Sequence, residues 1–202
     1  MRAEVRIAGT VVALMLAGCG SDENDDGTEE AQQSAPAAMD IELTGADGAQ
    51  IGPVTLTEES GAVKVTAELE GLEPGFHGFH IHETGACDPD AVVEGEPTPF
   101  GSAEGHYTKG SEGHGEHSGD MPPLLVKEDG TVATTFTTDR YTLADIQDAD
   151  GSAVMVHADP DNSANIPADR YRSKGAGKVP DQMTLDTGDS GDRVACGVVG
   201  PK

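Results

Sequence analysis

At 202 residues with a formal charge of −25, from 37 acidic against 12 basic residues, the chain is a polyanion. That balance argues against binding to nucleic acid or to an anionic membrane face and suits binding of cations. Aromatic residues make up 3%, Trp is absent, and Gly (27) and Pro (12) are frequent, which favours a loop-rich all-β domain over a helical bundle.

Arg2 and Arg6 give a basic start, and Ile7 to Ala17 is apolar. The run is too short to cross a membrane but fits a signal-peptide core. It ends in Leu16-Ala17-Gly18-Cys19, which resembles the bacterial lipobox, whose cysteine is lipidated and becomes the first mature residue. An ordinary secretory signal that happens to contain a cysteine is the rival. Residues 1–18 are expected to be a lipoprotein signal peptide. Residues 19–38 are then the lipidated cysteine and a disordered tether, with six acids and no base, which self-repel and extend it. The folded domain is expected over 39–202 and keeps about −20 of the charge. The protein is expected outside the cytoplasmic membrane, on the cell-envelope side, attached through the lipid alone.

Ile41 to Leu43 and Val54 to Thr57 read as a first hairpin. Val63 to Leu69 alternates apolar and polar residues and predicts a half-buried strand. Gly71 and Pro74-Gly75 mark the turn into the strand that carries Phe79-His80-Ile81-His82. Leu124 to Val126, the turn Lys127-Glu128-Asp129-Gly130 and Thr131 to Thr137 predict another hairpin. Thr142 to Ile146 is the one helical turn expected. Val154 to His157 and Val194 to Val199 complete the strands. Two long loops, about 84–122 and 158–192, are of the length that usually carries function. The expected fold is an eight-stranded antiparallel Greek-key barrel or sandwich with two long functional loops.

In a strand, His80 and His82 project to one face while Phe79 and Ile81 face the other. Two imidazoles on a rigid strand can clamp a metal; a pair of surface histidines is the plain alternative. His106, His114, His117 and Asp120 lie in one glycine-rich segment. Three imidazoles and a carboxylate make a tetrahedral set for zinc, and the alternative is a loop that holds metals loosely. If Cys19 is lipidated, Cys87 and Cys196 remain. In an exported chain an even pair reads as a disulfide; thiolate ligands are the rival, though neither residue sits in a CxxC pair.

Taken together these motifs resemble the copper/zinc superoxide dismutases. Gly78 to His82, Gly105-His106-Tyr107, Gly119-Asp120, Val156-His157 and Arg193 to Val198 occur in that family's order and spread over most of residues 39–199. The resemblance implies a sandwich fold and dismutation of superoxide to dioxygen and hydrogen peroxide, protecting the envelope from external superoxide. It implies copper on His80, His82, His106 and His157, and zinc on His106, His114, His117 and Asp120, with His106 shared. It makes Asp161 a carboxylate linking ligands of both metals, His77 a structural neighbour of the site, and Cys87–Cys196 the family disulfide. Catalysis would fall to Arg193, which offers a fixed charge to a small anion, and to His106, which carries a proton in the family's mechanism.

The stretch between His114 and His117 is shorter than in well-known members. In Asp161-Asn162, Ala164 to Pro167 and Thr187 to Asp189 the chain looks closest to lipid-anchored bacterial relatives, some of which lack zinc; this one keeps His117. Arg170, Arg172, Lys174 and Lys178 are candidate steering charges, or plain solvated loop residues. A monomer and a homodimer both suit the resemblance. The rival function is a non-enzymatic copper- or zinc-binding envelope lipoprotein on the same fold. It would need the histidines but not Arg193.

Overall fold

Alternating apolar residues build the first three strands of the computed structural model, which describes residues 37–110, 113–163, 174, 175, 177 and 179–200. The signal segment 1–18, Cys19, nearly all of the tether, residues 164–167, Arg170, Arg172 and Lys178 lie outside the described residues. Strands β1 (Ala38–Gly45), β2 (Gln50–Glu59) and β3 (Ala62–Leu69) form an antiparallel meander. In β3 the apolar residues Val63, Val65, Ala67 and Leu69 are buried and the intervening ones are not, the period-2 pattern of a sheet with one wet face.

Next come β4 (Gly75–His77), β5 (Phe79–His82), a short hairpin of β6 (Val92–Val93) and β7 (Glu96–Pro97), then β8 (Leu124–Val126), β9 (Val132–Thr138), β10 (Ser152–His157), helix α1 (Gln182–Thr187) and β11 (Arg193–Val199). One seven-stranded sheet runs β5-β10-β11-β1-β2-β3-β9, and β4 pairs with β8 in a second. The described residues thus form eleven strands against the eight expected. The histidine strand divides at Gly78, where the chain leaves β8 for β10, and the first long loop contains the β6–β7 hairpin.

Two local expectations are corrected. The Lys127–Gly130 turn forms, with Gly130 N–H bonding Lys127 O, but β8 and β9 are not a hairpin. β8 pairs with β4 and β9 with β3, so the strands flanking the turn belong to different sheets. Thr142 to Ile146 makes a single turn bond, Asp145 N–H to Thr142 O at 3.1 Å. The Asp145 carboxylate takes the Thr142 N–H and hydroxyl at 2.7 and 2.8 Å, a local alternative to helix. Among the described residues the α-helix is α1, in a stretch the sequence reads as loop. It is N-capped by Asp181, whose carboxylate accepts from Thr184 N–H.

The core is the space between sheet faces, filled by Leu43, Val54, Leu56, Val65, Phe79, Ile81, Val154 and Val156, all fully buried. A smaller cluster of Phe100, Ala103, Ala153, Met155 and Cys196 lies beside it. Cys87 and Cys196 are disulfide-bonded across a sequence separation of 109, so the first long loop is tied to β11. In the chain-entropy picture a loop of that length contributes roughly 4–5 kcal/mol. The Cys87→Ala, Cys196→Ala double variant is expected to lose about 3–5 kcal/mol of unfolding free energy in urea; an unchanged midpoint and slope would contradict this.

Candidate metal centre

β5 is the edge of the seven-stranded sheet, and the first long loop closes that edge. Ile81 N–H bonds Gly119 O at 2.9 Å, Tyr107 N–H bonds Ile81 O at 2.8 Å, and Met121 N–H bonds Phe79 O at 3.2 Å. Isolated bridges pair His80 with Asp120 and His82 with His106. Backbone pairing therefore brings the histidines of β5 beside those of the glycine-rich loop, while Phe79 and Ile81 enter the core. His157 ends β10, the other neighbour of β5.

His80, His82, His106 and His157 converge, with ligand atoms all within 4.8 Å of one another and all four rings buried. Their hydrogen bonds set the tautomers. His82 Nδ1–H donates to Glu104 O at 2.9 Å and His157 Nδ1–H to Gly191 O at 3.1 Å. The two Nε2 atoms then meet as lone pairs at 3.2 Å, an arrangement that repels unless a cation lies between them. His80 Nε2–H donates to Asp161 Oδ2 at 2.6 Å, and its Nδ1 is buried with no partner among the described residues.

A second group adjoins the first. Asp120 Oδ1 lies 2.9 Å from His106 Nδ1 and 3.3 Å from His114 Nδ1. His117 Nδ1 is 3.6 Å from the same oxygen and is buried without a hydrogen-bond partner among the described residues. His114 Nε2–H donates to Asp161 Oδ1 at 2.7 Å, so Asp161 holds one ring of each group. Gly188, at φ +60, seals this bond: a Cβ there would fall 2.2 Å from His114 Nε2. The orphaned nitrogens and the imidazole and carboxylate donors fit copper in the first group and zinc in the second.

His77 stands apart from both groups. Its ring nitrogens face His157 O at 2.7 Å and Glu73 O at 2.8 Å. Arg193 opens β11 and donates to Phe100 O at 2.6 Å and Glu104 O at 2.5 Å. With His82, His106 and His157 it lines a cleft of about 450 Å³, whose rim also carries Asp186, Asp189 and Asp192. Lys174 is exposed. Sequence reasoning missed Phe100, Glu104 and Gly191. They act through backbone carbonyls, and only their backbone angles mark two of them: Phe100 and Glu104 have φ of 59° and 60°, positions that cost a non-glycine residue on the order of 1–3 kcal/mol.

Burial holds His80 and His82 below the usual imidazole range and pushes His106 down to about 4 and His157 to about 3. At Asp120 and Asp161 burial works upward, but hydrogen bonds from His106 and His114, and from His114 and His80, prevail and keep both carboxylates ionised. At His114 burial works downward, and the bonds and charges of Asp120 and Asp161 overcome it, raising the ring to about 9.

Relatives in sequence and in structure point to one family. The profile described as copper/zinc superoxide dismutase (SODC) matches residues 50–199. The chain is 40% identical over 179 residues to the Cu-Zn superoxide dismutase of Mycolicibacterium paratuberculosis, covering 86% of this chain and 79% of that one. It is 32% identical over 202 residues to that of Haemophilus parainfluenzae, covering 94% and 97%. The Cu/Zn superoxide dismutase structure from Brucella abortus aligns with a TM-score of 0.63 at 30% identity, over 81% of this chain and 99% of that one. A SOD-like protein from Bacillus subtilis aligns at 0.61 and 26%, over 82% and 99%.

These shifts give the metal-free protein a pH signature. Histidines 80, 82, 106 and 157 have folded pKa values below 6.5, so their contribution is present above 6.5 and lost as the pH falls below it. His114, raised to about 9, contributes fully below 6.5 and loses that contribution as the pH rises through 9. Chelator-stripped protein is expected to show its highest urea midpoint near neutral pH and to lose stability towards about pH 5. A midpoint that rises on acidification would contradict the burial of these rings.

Proposed function

The chain belongs to the copper/zinc superoxide dismutase family, and from that premise we propose which residues carry the reaction and where it takes place. The protein dismutates superoxide: two superoxide anions and two protons give dioxygen and hydrogen peroxide. It is a copper- and zinc-dependent enzyme. In this reading His80, His82, His106 and His157 hold the copper, and His106, His114, His117 and Asp120 hold the zinc. Bound copper supplies the one-electron exchange, oxidising one superoxide and reducing the next.

The observation that carries the assignment is the shared cleft: Arg193 lines it with three of the four histidines of the first group. A protein that only stored metal would have no use for a guanidinium there. Phe100 O and Glu104 O fix Arg193, so its charge is aimed before the anion arrives. The same Glu104 carbonyl also holds His82, which locks arginine and ring to one point. Asp186, Asp189 and Asp192 line the same cleft and oppose an anion; acids farther off are screened at physiological salt, where the Debye length is about 8 Å. His106 serves as proton carrier, through Nε2, the nitrogen turned away from Asp120. Asp161 holds the His80 and His114 rings in one orientation throughout.

The reading extends to location. Residues 1–18 serve as a lipoprotein signal peptide, Cys19 as the lipid anchor, and the acidic segment to residue 38 as the tether of the domain over 39–202. The disulfide between Cys87 and Cys196 supports an oxidising, extracytoplasmic setting. There the enzyme protects the envelope from external superoxide.

Two experiments test these assignments. Arg193→Ala is expected to lower kcat/KM for superoxide by about tenfold or more with copper content unchanged; an undiminished kcat/KM in the copper-loaded variant would remove Arg193 from catalysis. Cys19→Ser is expected to shift the protein from the membrane fraction to the soluble extracytoplasmic fraction. A wild-type protein already soluble would refute the anchor.

A further inference from the structure

Only Gly115 and Glu116 separate His114 from His117, so the loop has little chain with which to support itself. Its backbone is held instead from two sides by opposite charges. The N–H groups of Gly115 and His117 donate to Asp120 Oδ2 at 2.6 and 3.1 Å. The carbonyls of the same two residues accept from Arg140: His117 O at 2.9 Å, and Gly115 O from both terminal nitrogens at 3.2 Å. Gly115 has φ +87, and a Cβ there would fall 2.5 Å from Ser163 O, so the peptide has no room to retreat on that side.

Arg140 follows β9, on a part of the chain remote from this loop, and its side chain is exposed. The planar guanidinium fork reaches two carbonyls at once, which an ammonium does not match. His117 is the ring that needs this help. The ligand atoms of His80, His106, His114 and Asp120 lie within 4.8 Å of one another, whereas His117 stands outside that group, its Nδ1 3.6 Å from Asp120 Oδ1 and without a hydrogen-bond partner among the described residues. Among the described residues no hydrogen bond fixes its Nδ1, so the ring's placement falls to its backbone.

We infer that Arg140 is a positioning residue for the zinc site: by clamping the Gly115 and His117 carbonyls it fixes His117 and so sets zinc affinity. The inference rests on the zinc reading proposed above. It assigns to a residue outside the loop the support that the shortened chain does not supply, much as partners of ligands tune metal affinity elsewhere by about 10- to 100-fold.

The test compares wild type with Arg140→Ala, Arg140→Gln and Arg140→Lys as full, disulfide-bonded, copper-loaded proteins. Zinc affinity is measured by competition with a chromogenic chelator, and site geometry by the visible spectrum of cobalt(II) in place of zinc. The Ala and Gln variants are expected to bind zinc about 10- to 100-fold more weakly and to lose the intense tetrahedral cobalt bands. Lys, which can reach one carbonyl, is expected to recover part of both, with copper content and thermal midpoint unchanged throughout. Wild-type zinc affinity and cobalt spectrum in Arg140→Ala would overturn the inference. A parallel loss of copper and thermal midpoint would mark a general folding role and overturn it too. Failure of the wild type itself to bind zinc would overturn the zinc reading, and would be visible before any variant was compared.

Discussion

One carboxylate organises the centre. Asp161 takes the Nε2–H of His80 on one oxygen and that of His114 on the other. Each bond places a proton on Nε2; at His80 it leaves the Nδ1 lone pair facing the first group, while His114 Nδ1 turns to Asp120 in the second. Burial keeps His80 neutral, and the backbone carbonyls of Glu104 and Gly191 do for His82 and His157 what Asp161 does for His80. The result, at His80, His82 and His157, is a set of inward lone pairs that no donor among the described residues satisfies. A folded chain tolerates such groups only when something outside the chain completes them.

The fold exists around that constraint in a definite way. The edge position of β5 lets the glycine-rich loop add its backbone alongside, which delivers His106 and Asp120 to His82 and His80. The disulfide ties the start of that loop to β11, the strand that begins with Arg193. Phe100 and Glu104 lie between the tied point and the edge-bound segment, and their carbonyls hold the arginine. The clefted side of the centre and its charged residue are therefore set by the same piece of chain that completes the sheet edge. The C-terminal end of α1 completes the other side, with Gly188 packed against the bond between His114 and Asp161.

Much of this was legible in the sequence because it depends on short periods. The alternation in Val63 to Leu69, and the i, i+2 spacing of His80 and His82, each follow from strand geometry. The glycine-rich loop could be read as a ligand set from residue types alone, and the order of motifs carried the family. What local reading missed depends on distant partners. The Asp129-Gly130 turn is present, yet its two strands join different sheets. Helix α1 is short and buries only Thr184, so it has no apolar stripe to find; its one signal was Asp181 three residues before Thr184. Phe100, Glu104 and Gly191 contribute carbonyls, which every residue has. Arg140 reaches the His114–His117 loop across the fold and left no mark beside it in the chain.

In the reading proposed above, these residues form two adjoining metal sites that share His106, one of them open to superoxide beside Arg193. Metal analysis of the folded, oxidised protein after loading with both metals, alongside its rate of superoxide consumption, tests this most directly. One copper and one zinc per chain are expected, with superoxide consumption that disappears when copper alone is withheld. A single metal per chain, or a protein carrying stoichiometric copper that does not consume superoxide, would contradict it.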